Sequence, residues 1–170
     1  NNPVSYGVDI TPAMLGELAA DPLFVAIKES SDDVRRVTKI FNAVGDRFSV
    51  FTGVDNLALE SLALGAHGWV AGLVCAFPKE TVAIYELARQ GRMAEAIAIY
   101  RWFQPLLDLD VSARLVQNIK LVEALAIGSN DRCRAPRMPL VGNERAEVVS
   151  VVEKALASRP SLPRIAMAAE

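Results

Sequence analysis

Long hydrophobic runs are missing from this 170-residue chain. None approaches the roughly 20 apolar residues that span a bilayer, so no membrane association is expected. Histidine occurs once, as His67, and cysteine twice, as Cys75 and Cys133. Such scattered groups do not build a recognisable zinc site. Cys75 sits in an apolar run and Cys133 in a basic loop, which does not read as a disulfide framework. Blocks of like charge are absent as well. A net charge of -2 and a pI near 5.5 argue against nucleic acid. There is no G-x-x-x-x-G-K-[ST] phosphate loop and no G-x-G-x-x-G fingerprint, so P-loop NTPases and Rossmann dehydrogenases find no support. Neither a metal nor an organic cofactor is expected. The first residues carry no basic segment followed by an apolar one, so no signal peptide is read and the protein is expected to be cytoplasmic. The chain also lacks an initiator Met. It opens on the turn-like Asn1-Asn2-Pro3 and reads as cut from something longer.

What is present is an alternation. Thr11 is a good N-cap and Pro12 suits the first helical position, so a helix is predicted over 11–20, broken by Asp21-Pro22. The apolar run Leu23–Ile27, ending in Lys28, reads as a buried parallel strand. Ser30-Ser31-Asp32-Asp33 offers caps for a helix with Val34, Val37, Ile40, Phe41 and Val44 at helical spacing, ended by Gly45. Phe48–Thr52 is the second strand. A helix through Leu57, Leu59, Leu62 and Leu64 follows, and Gly68–Val74 is the third strand. A helix in each gap is the rhythm of a parallel α/β sheet or barrel. From about residue 90 the rhythm ends. Helices are predicted at 79–90, 93–109, 112–127 and from Asn143 to about Ala157, with Pro105 kinking or splitting the second. Met93, Ile97, Tyr100, Phe103 and Leu107 form one apolar stripe, and Leu115, Ile119, Val122 and Ala126 another. The division read from this is 1–90 α/β, 91–157 helical and 158–170 a loose tail. Three strands cannot close an eight-stranded barrel, which takes about 250 residues.

Lys28 stands out among five lysines because it ends a strand, at the end where parallel α/β folds place their chemistry. A lysine amine must be neutral to attack a carbonyl, and burial is one way to make it so. Ala26 and Ile27 are candidates to supply that environment. The competing reading is a strand-end lysine paired with Glu29 or an Asp. Gly53 closes the second strand, where a ligand can approach the backbone. Asp55 either binds hydroxyls or caps the next helix. Gly68 and Gly72 leave room for substrate or for packing. His67 reads as a loop residue, and Arg132, Arg134 and Arg137 as a solvated basic loop.

Several of these segments, in order, resemble one known family. Asn1-Asn2-Pro3 resembles the end of a Tyr-Asn-x-Pro motif. Val25-Ala26-Ile27-Lys28-Glu29-Ser30 resembles a Schiff-base strand, G-[IVL]-K-[ED]-[AST]. Phe51-Thr52-Gly53-Val54-Asp55 resembles a G-x-D strand end, and Gly65–Gly72 a G-[AG]-x-G-x-I-[SG] strand. These are motifs of the class I 2-oxo-acid lyases of the dihydrodipicolinate synthase / N-acetylneuraminate lyase family, and the resemblance covers nearly the whole chain.

The resemblance implies an α/β fold: the C-terminal part of a (β/α)8 TIM barrel, about three parallel strands with their helices, followed by an all-α extension. It implies a lysine iminium formed with a 2-oxo acid, often pyruvate, and a homotetramer in the complete proteins. Carried over by position, Lys28 is the covalent residue. Ser30, Gly53, Asp55 and Val70 line the substrate pocket, Val70 mainly by backbone. Gly72 stands where some sugar-acid lyases carry serine, which speaks against sialic acid, and Trp69 is bulky for its place. The family's proton-relaying tyrosine would precede Asn1, and Tyr6 does not occupy its position. The carboxylate-binding Gly-[ST]-[ST]-Gly-Glu loop is likewise not in these residues, so the chain is expected to turn over little or nothing alone. Residues 116–123 and 134–140 resemble the branch around 1-pyrroline-4-hydroxy-2-carboxylate deaminase. Dihydrodipicolinate synthase itself ranks second, and sugar-acid aldolases or dehydratases third. The alternative of another class is a non-catalytic barrel relative serving as an assembly or binding module.

Overall fold

A computed structural model describes residues 1–165. The chain divides into two compact units, Asn1–Val70 and a second from Ala71 onward. The helix after Pro78, which the sequence reading attaches to the α/β part, thus falls in the second unit.

In the first unit, a short α1 (Pro3–Tyr6) precedes α2 (Pro12–Leu18). Thr11 caps α2, its hydroxyl accepting from the Met14 N–H at 3.3 Å. Three parallel strands follow in the order β1-β2-β3: β1 (Ala26–Glu29), β2 (Ser49–Thr52) and β3 (Gly68–Trp69). Between them lie α3 (Arg35–Val44) and α4 (Ala58–Ala63), the latter entered through a 3-10 turn at Asp55–Leu57. The α3 start is held by Asp33, whose carboxylate accepts from the Arg35 N–H at 3.1 Å. Ile27 and Val50 share one sheet face, where they pack with Leu15 of α2, Ile40 of α3 and Phe48. The opposite face, carrying Ala26, Lys28 and Ser49, is exposed.

Two strand expectations need correction. The run Leu23–Ile27 is not a buried strand: β1 starts at Ala26, and Leu23 is 84% exposed. A turn captures the segment instead. Asp21 accepts from the Leu23 N–H at 2.9 Å, and the Arg47 guanidinium donates to the carbonyls of Ala19, Asp21 and Phe24 at 2.8–2.9 Å. These bonds take backbone groups that a longer strand would have given to the ladder. The third strand, expected over Gly68–Val74, is two residues long. Gly72 adopts right-handed helical dihedrals (φ -88°, ψ -49°) and leads into a 3-10 turn at Leu73–Cys75.

The second unit is helical: α5 (Pro78–Arg89), α6 (Met93–Leu107), α7 (Leu115–Ile127) and α8 (Gly142–Ala157). Its core joins Phe77, Ile84, Leu87, Phe103, Leu107, Val122 and Val152, all buried. Pro105 does not split α6, which runs through it to Leu107. The stripe expected on α7 is displaced. Its buried residues are Gln117, Asn118, Leu121 and Val122, while Leu115 is exposed. Two amides enter because partners wait for them. The Asn118 side chain donates to the Leu109 carbonyl and the Ser112 hydroxyl, both at 2.9 Å, and that of Gln117 to the Met138 carbonyl at 3.3 Å. Beyond α8, Arg159 donates to Glu80 of α5 at 2.6 Å, and Arg92 reaches the Arg164 carbonyl at 3.0 Å. The rest of the expected loose tail lies outside the described residues. Both cysteines are free. Among the described residues, no helix is long and apolar enough to cross a membrane.

Candidate active site

Side chains alternate along a strand, so Lys28 and Ser30 share one sheet face and Glu29 takes the other. Glu29 is buried on the helix side. One carboxylate oxygen accepts from the Ser31 N–H at 2.6 Å and the other from the Asn1 side-chain amide at 3.0 Å. That amide also donates to Asp9 at 3.0 Å, and the Asn1 side-chain oxygen accepts from the Ile10 N–H at 2.8 Å. Arg36 donates to Asp9 at 2.8 Å, and this bond, then the Asn1 amide, holds the Asp9 carboxyl below the usual range. The backbone of Asn1 pairs with β1 as well: its nitrogen donates to the Lys28 carbonyl at 2.7 Å, and its carbonyl accepts from the Ser30 N–H at 2.8 Å. Acidic partners are therefore held behind the strand. Among the described residues, no carboxylate lies within ion-pair distance of the Lys28 ammonium, so the structural pairing considered for this lysine is not formed. Nor is Lys28 buried; its side chain is exposed on the open face, and Ile27 points the other way.

Gly53 lies just past β2, its N–H donating to the Glu29 carbonyl at 2.9 Å. A Cβ built at Gly53 would collide with the Ser30 hydroxyl and with Cε of Lys28. The Gly53 Cα thus forms a floor against which both side chains lie. Ser30 is only 6% exposed, and its hydroxyl has no hydrogen-bond partner. Val70 is exposed, and its N–H donates to the Thr52 carbonyl at 2.9 Å, which by alternation places it on the Gly53 side of the sheet. On this open face the Phe51 ring covers Gly68, leaving no room for a Cβ there.

Asp55 is placed differently from the other candidates. It is fully buried, and its Oδ1 accepts from the Trp69 indole N–H at 2.9 Å. The sequence flags Trp69 for its bulk but does not reveal this donor. The donor arrives through the register of the sheet, in which Trp69 pairs with Thr52, three residues before Asp55. His67 is more than a loop residue: its Nδ1 accepts from the Val50 N–H at 3.0 Å while its own N–H donates to the Val50 carbonyl at 2.7 Å.

Chemically, the arrangement presents an amine at a strand end, a buried hydroxyl with unused capacity, and a glycine surface that admits a flat group. Among the described residues no cluster of His, Cys, Asp or Glu is suited to a metal ion.

Comparison with known proteins gives the family of the chain. The profile of the Dihydrodipicolinate synthetase family matches residues 1–155. The 4-hydroxy-tetrahydrodipicolinate synthase of Geotalea uraniireducens is 27% identical over 157 residues, covering 91% of this chain and 53% of that protein. The enzyme of the same name from Methanospirillum hungatei is 35% identical over 107 residues, covering 62% of this chain and 37% of the other. The solved 4-hydroxy-tetrahydrodipicolinate synthase of Methylacidiphilum fumariolicum superimposes with a TM-score of 0.81 at 29% identity, covering 93% of this chain and 54% of that one. The chain spans about half the length of the curated relatives it matches. Its three parallel strands and helices are accordingly a portion of the TIM-barrel fold of those relatives. On the family match over nearly its whole length, the chain belongs to the dihydrodipicolinate synthetase family, whose members include lyases.

Proposed function

We propose that Lys28 forms an iminium with a small 2-oxo acid, in the manner of a class I lyase. The observation that carries this reading is the contact set of Lys28: an amine at the C-terminal end of a parallel strand, lying on the Gly53 Cα beside the unpartnered Ser30 hydroxyl. In the proposed reaction, the neutral amine adds its electron pair to C2 of the acid, and the carbonyl oxygen takes up a proton. The resulting carbinolamine loses water to give the iminium, which accepts an electron pair from a bond at C3. Ser30 is suited to hold the departing oxygen, since its hydroxyl can donate and accept and has no competing partner. Gly53 leaves space for the planar iminium, and Val70 borders the pocket.

The names of the relatives favour 4-hydroxy-tetrahydrodipicolinate synthesis. The segments 116–123 and 134–140 favour the deamination of 1-pyrroline-4-hydroxy-2-carboxylate. We further propose that the 170 residues alone turn over weakly, because their Lys28 is open to solvent, and that the functional form is a homo-oligomer, a tetramer in the full-length proteins, acting in the cytoplasm without a cofactor. The same exposure is the observation favouring the alternative, a non-catalytic assembly or binding module.

The test is borohydride trapping of the complete gene product carrying this segment, with pyruvate and then other 2-oxo acids, followed by peptide mass mapping. The expected result is a reduced adduct on Lys28 that disappears in Lys28→Ala. A folded protein giving no adduct with any acid returns Lys28 to a structural role.

A further inference from the structure

Lys28, Phe51 and Gly68 stand side by side across the three strands: Lys28 pairs in register with Phe51, and Phe51 with Gly68. Paired positions put their side chains on one face, so all three belong to the open face that carries the lysine. The two side chains leave their strands in different directions. The Phe51 ring leans over β3, where a Cβ built at Gly68 would lie 2.7 Å from its Cδ1 and Cε1. Lys28 runs forward onto Gly53, two residues along from Phe51, where a Cβ would collide with its Cε. Ring and lysine chain are thus kept apart by two glycines. Gly68 is not required by the backbone, because it lies on a strand and is not among the chain's positive-φ glycines. Its role is the room it leaves for the ring. A phenyl ring is rigid and yields to a new methyl group only by swinging about its side-chain torsions. The adjoining space toward β1 and ahead over Gly53 is the ground that the Lys28 chain occupies.

We propose that Gly68 is a positioning residue for Lys28: by receiving the Phe51 ring, it keeps the aromatic off the path along which the lysine reaches Gly53. The catalytic consequence rests on the Schiff-base reading of Lys28; the steric one does not. A side chain at 68 turns the ring onto the amine and closes it to an incoming carbonyl.

Two readouts on the complete gene product carrying this segment test this. One is the rate of borohydride trapping with saturating pyruvate. The other is the rate at which acetic anhydride acetylates Lys28, with the exposed Lys39 as internal reference, both followed by peptide mass mapping. Gly68→Ala is expected to slow both at Lys28 by at least about tenfold, as small displacements around a reacting group do. General loosening of the fold would instead raise acetylation at every lysine, so the two causes read differently. In a Phe51→Val background, where no ring is displaced, Gly68→Ala is expected to cost less than about twofold. Equal costs in the two backgrounds, or Lys28 rates untouched by Gly68→Ala, overturn the proposal. If Gly68→Ala does not fold, Phe51→Trp, whose ring exceeds the space over Gly68, is expected to slow Lys28 in its place, and unchanged rates there overturn it. A wild type that forms no adduct with any 2-oxo acid removes the Schiff-base reading, and the acetylation cycle still decides whether Gly68 keeps the ring off the lysine.

Discussion

Gly53 and Lys28 meet so closely that a single methyl group on the first would overlap the side chain of the second. The lysine's conformation is thus set by an absence, the missing Cβ on the neighbouring strand end. Gly53→Ala is expected to push Lys28 and the Ser30 hydroxyl aside. The long lysine chain yields easily, so the stability loss should stay at about 1–3 kcal/mol. The adduct rate with pyruvate should fall by at least about tenfold. Trapping kinetics beside a urea melt separate the two effects, and an unchanged rate contradicts the packing.

In the helical unit, Glu80 is 2% exposed and holds Arg159 at 2.6 Å, while the guanidinium lies 5.2 Å from the centre of the Phe77 ring. Removing the arginine strands a buried carboxylate. Arg159→Ala should cost about 1–3 kcal/mol, a range that allows for the partly exposed guanidinium. Glu80→Gln in the same background should recover part of that loss, because a neutral amide tolerates burial better. Denaturant midpoints of the four proteins decide this, and a neutral Arg159→Ala is the contrary outcome.

Acid stability should follow Asp9. Its carboxyl is held low by Arg36 and then by the Asn1 amide. A depressed folded-state value means the bond contributes fully above the ordinary carboxylate range of about 3.9 and is lost as pH falls through the lower folded value. Wild type should exceed Asp9→Asn in urea midpoint by a constant margin above about pH 5. The margin should then shrink and vanish in stronger acid. A margin that persists there would remove the Asp9 ionisation as its cause.

Association is the fourth expectation. Leu23, Phe24, Val25 and Val70 are exposed apolar side chains of the sheet unit. Exposed apolar side chains of this kind, above all the run Leu23–Val25, favour pairing or aggregation. The 170-residue chain should sediment as oligomers, and Leu23→Lys with Val25→Lys should shift it toward monomer. A monomeric wild type at micromolar concentration would be the opposite finding.

The sequence carries local rules well and distant partners poorly. Thr11-Pro12 and Pro78 announce helix starts because capping and the proline ring act within a turn. Lys28, Ser30 and Gly53 are grouped in the sequence by the family motifs they resemble; alternation puts Lys28 and Ser30 on one face, but the contact that seats Gly53 against them joins distant segments. The turn at 19–24 was hidden because the arginine that fixes it, Arg47, stands more than twenty residues away. The burial of Gln117 and Asn118 is not legible from helical spacing either, since it depends on acceptors outside α7: the Met138 carbonyl for one, the Leu109 carbonyl and Ser112 hydroxyl for the other. The burial of Asp55 likewise depended on an indole arriving from another strand.

Gly72 is hemmed in by Asp110, whose carboxylate occupies the space a Cβ would need. Its dihedrals are ones any L-residue adopts, so crowding alone keeps other residues out. For a lineage that is to acquire serine at this position, the neighbour at 110 matters. Either the Asp110 carboxylate swings out of that space or position 110 changes with it, so the two sites are expected to drift as a pair rather than independently.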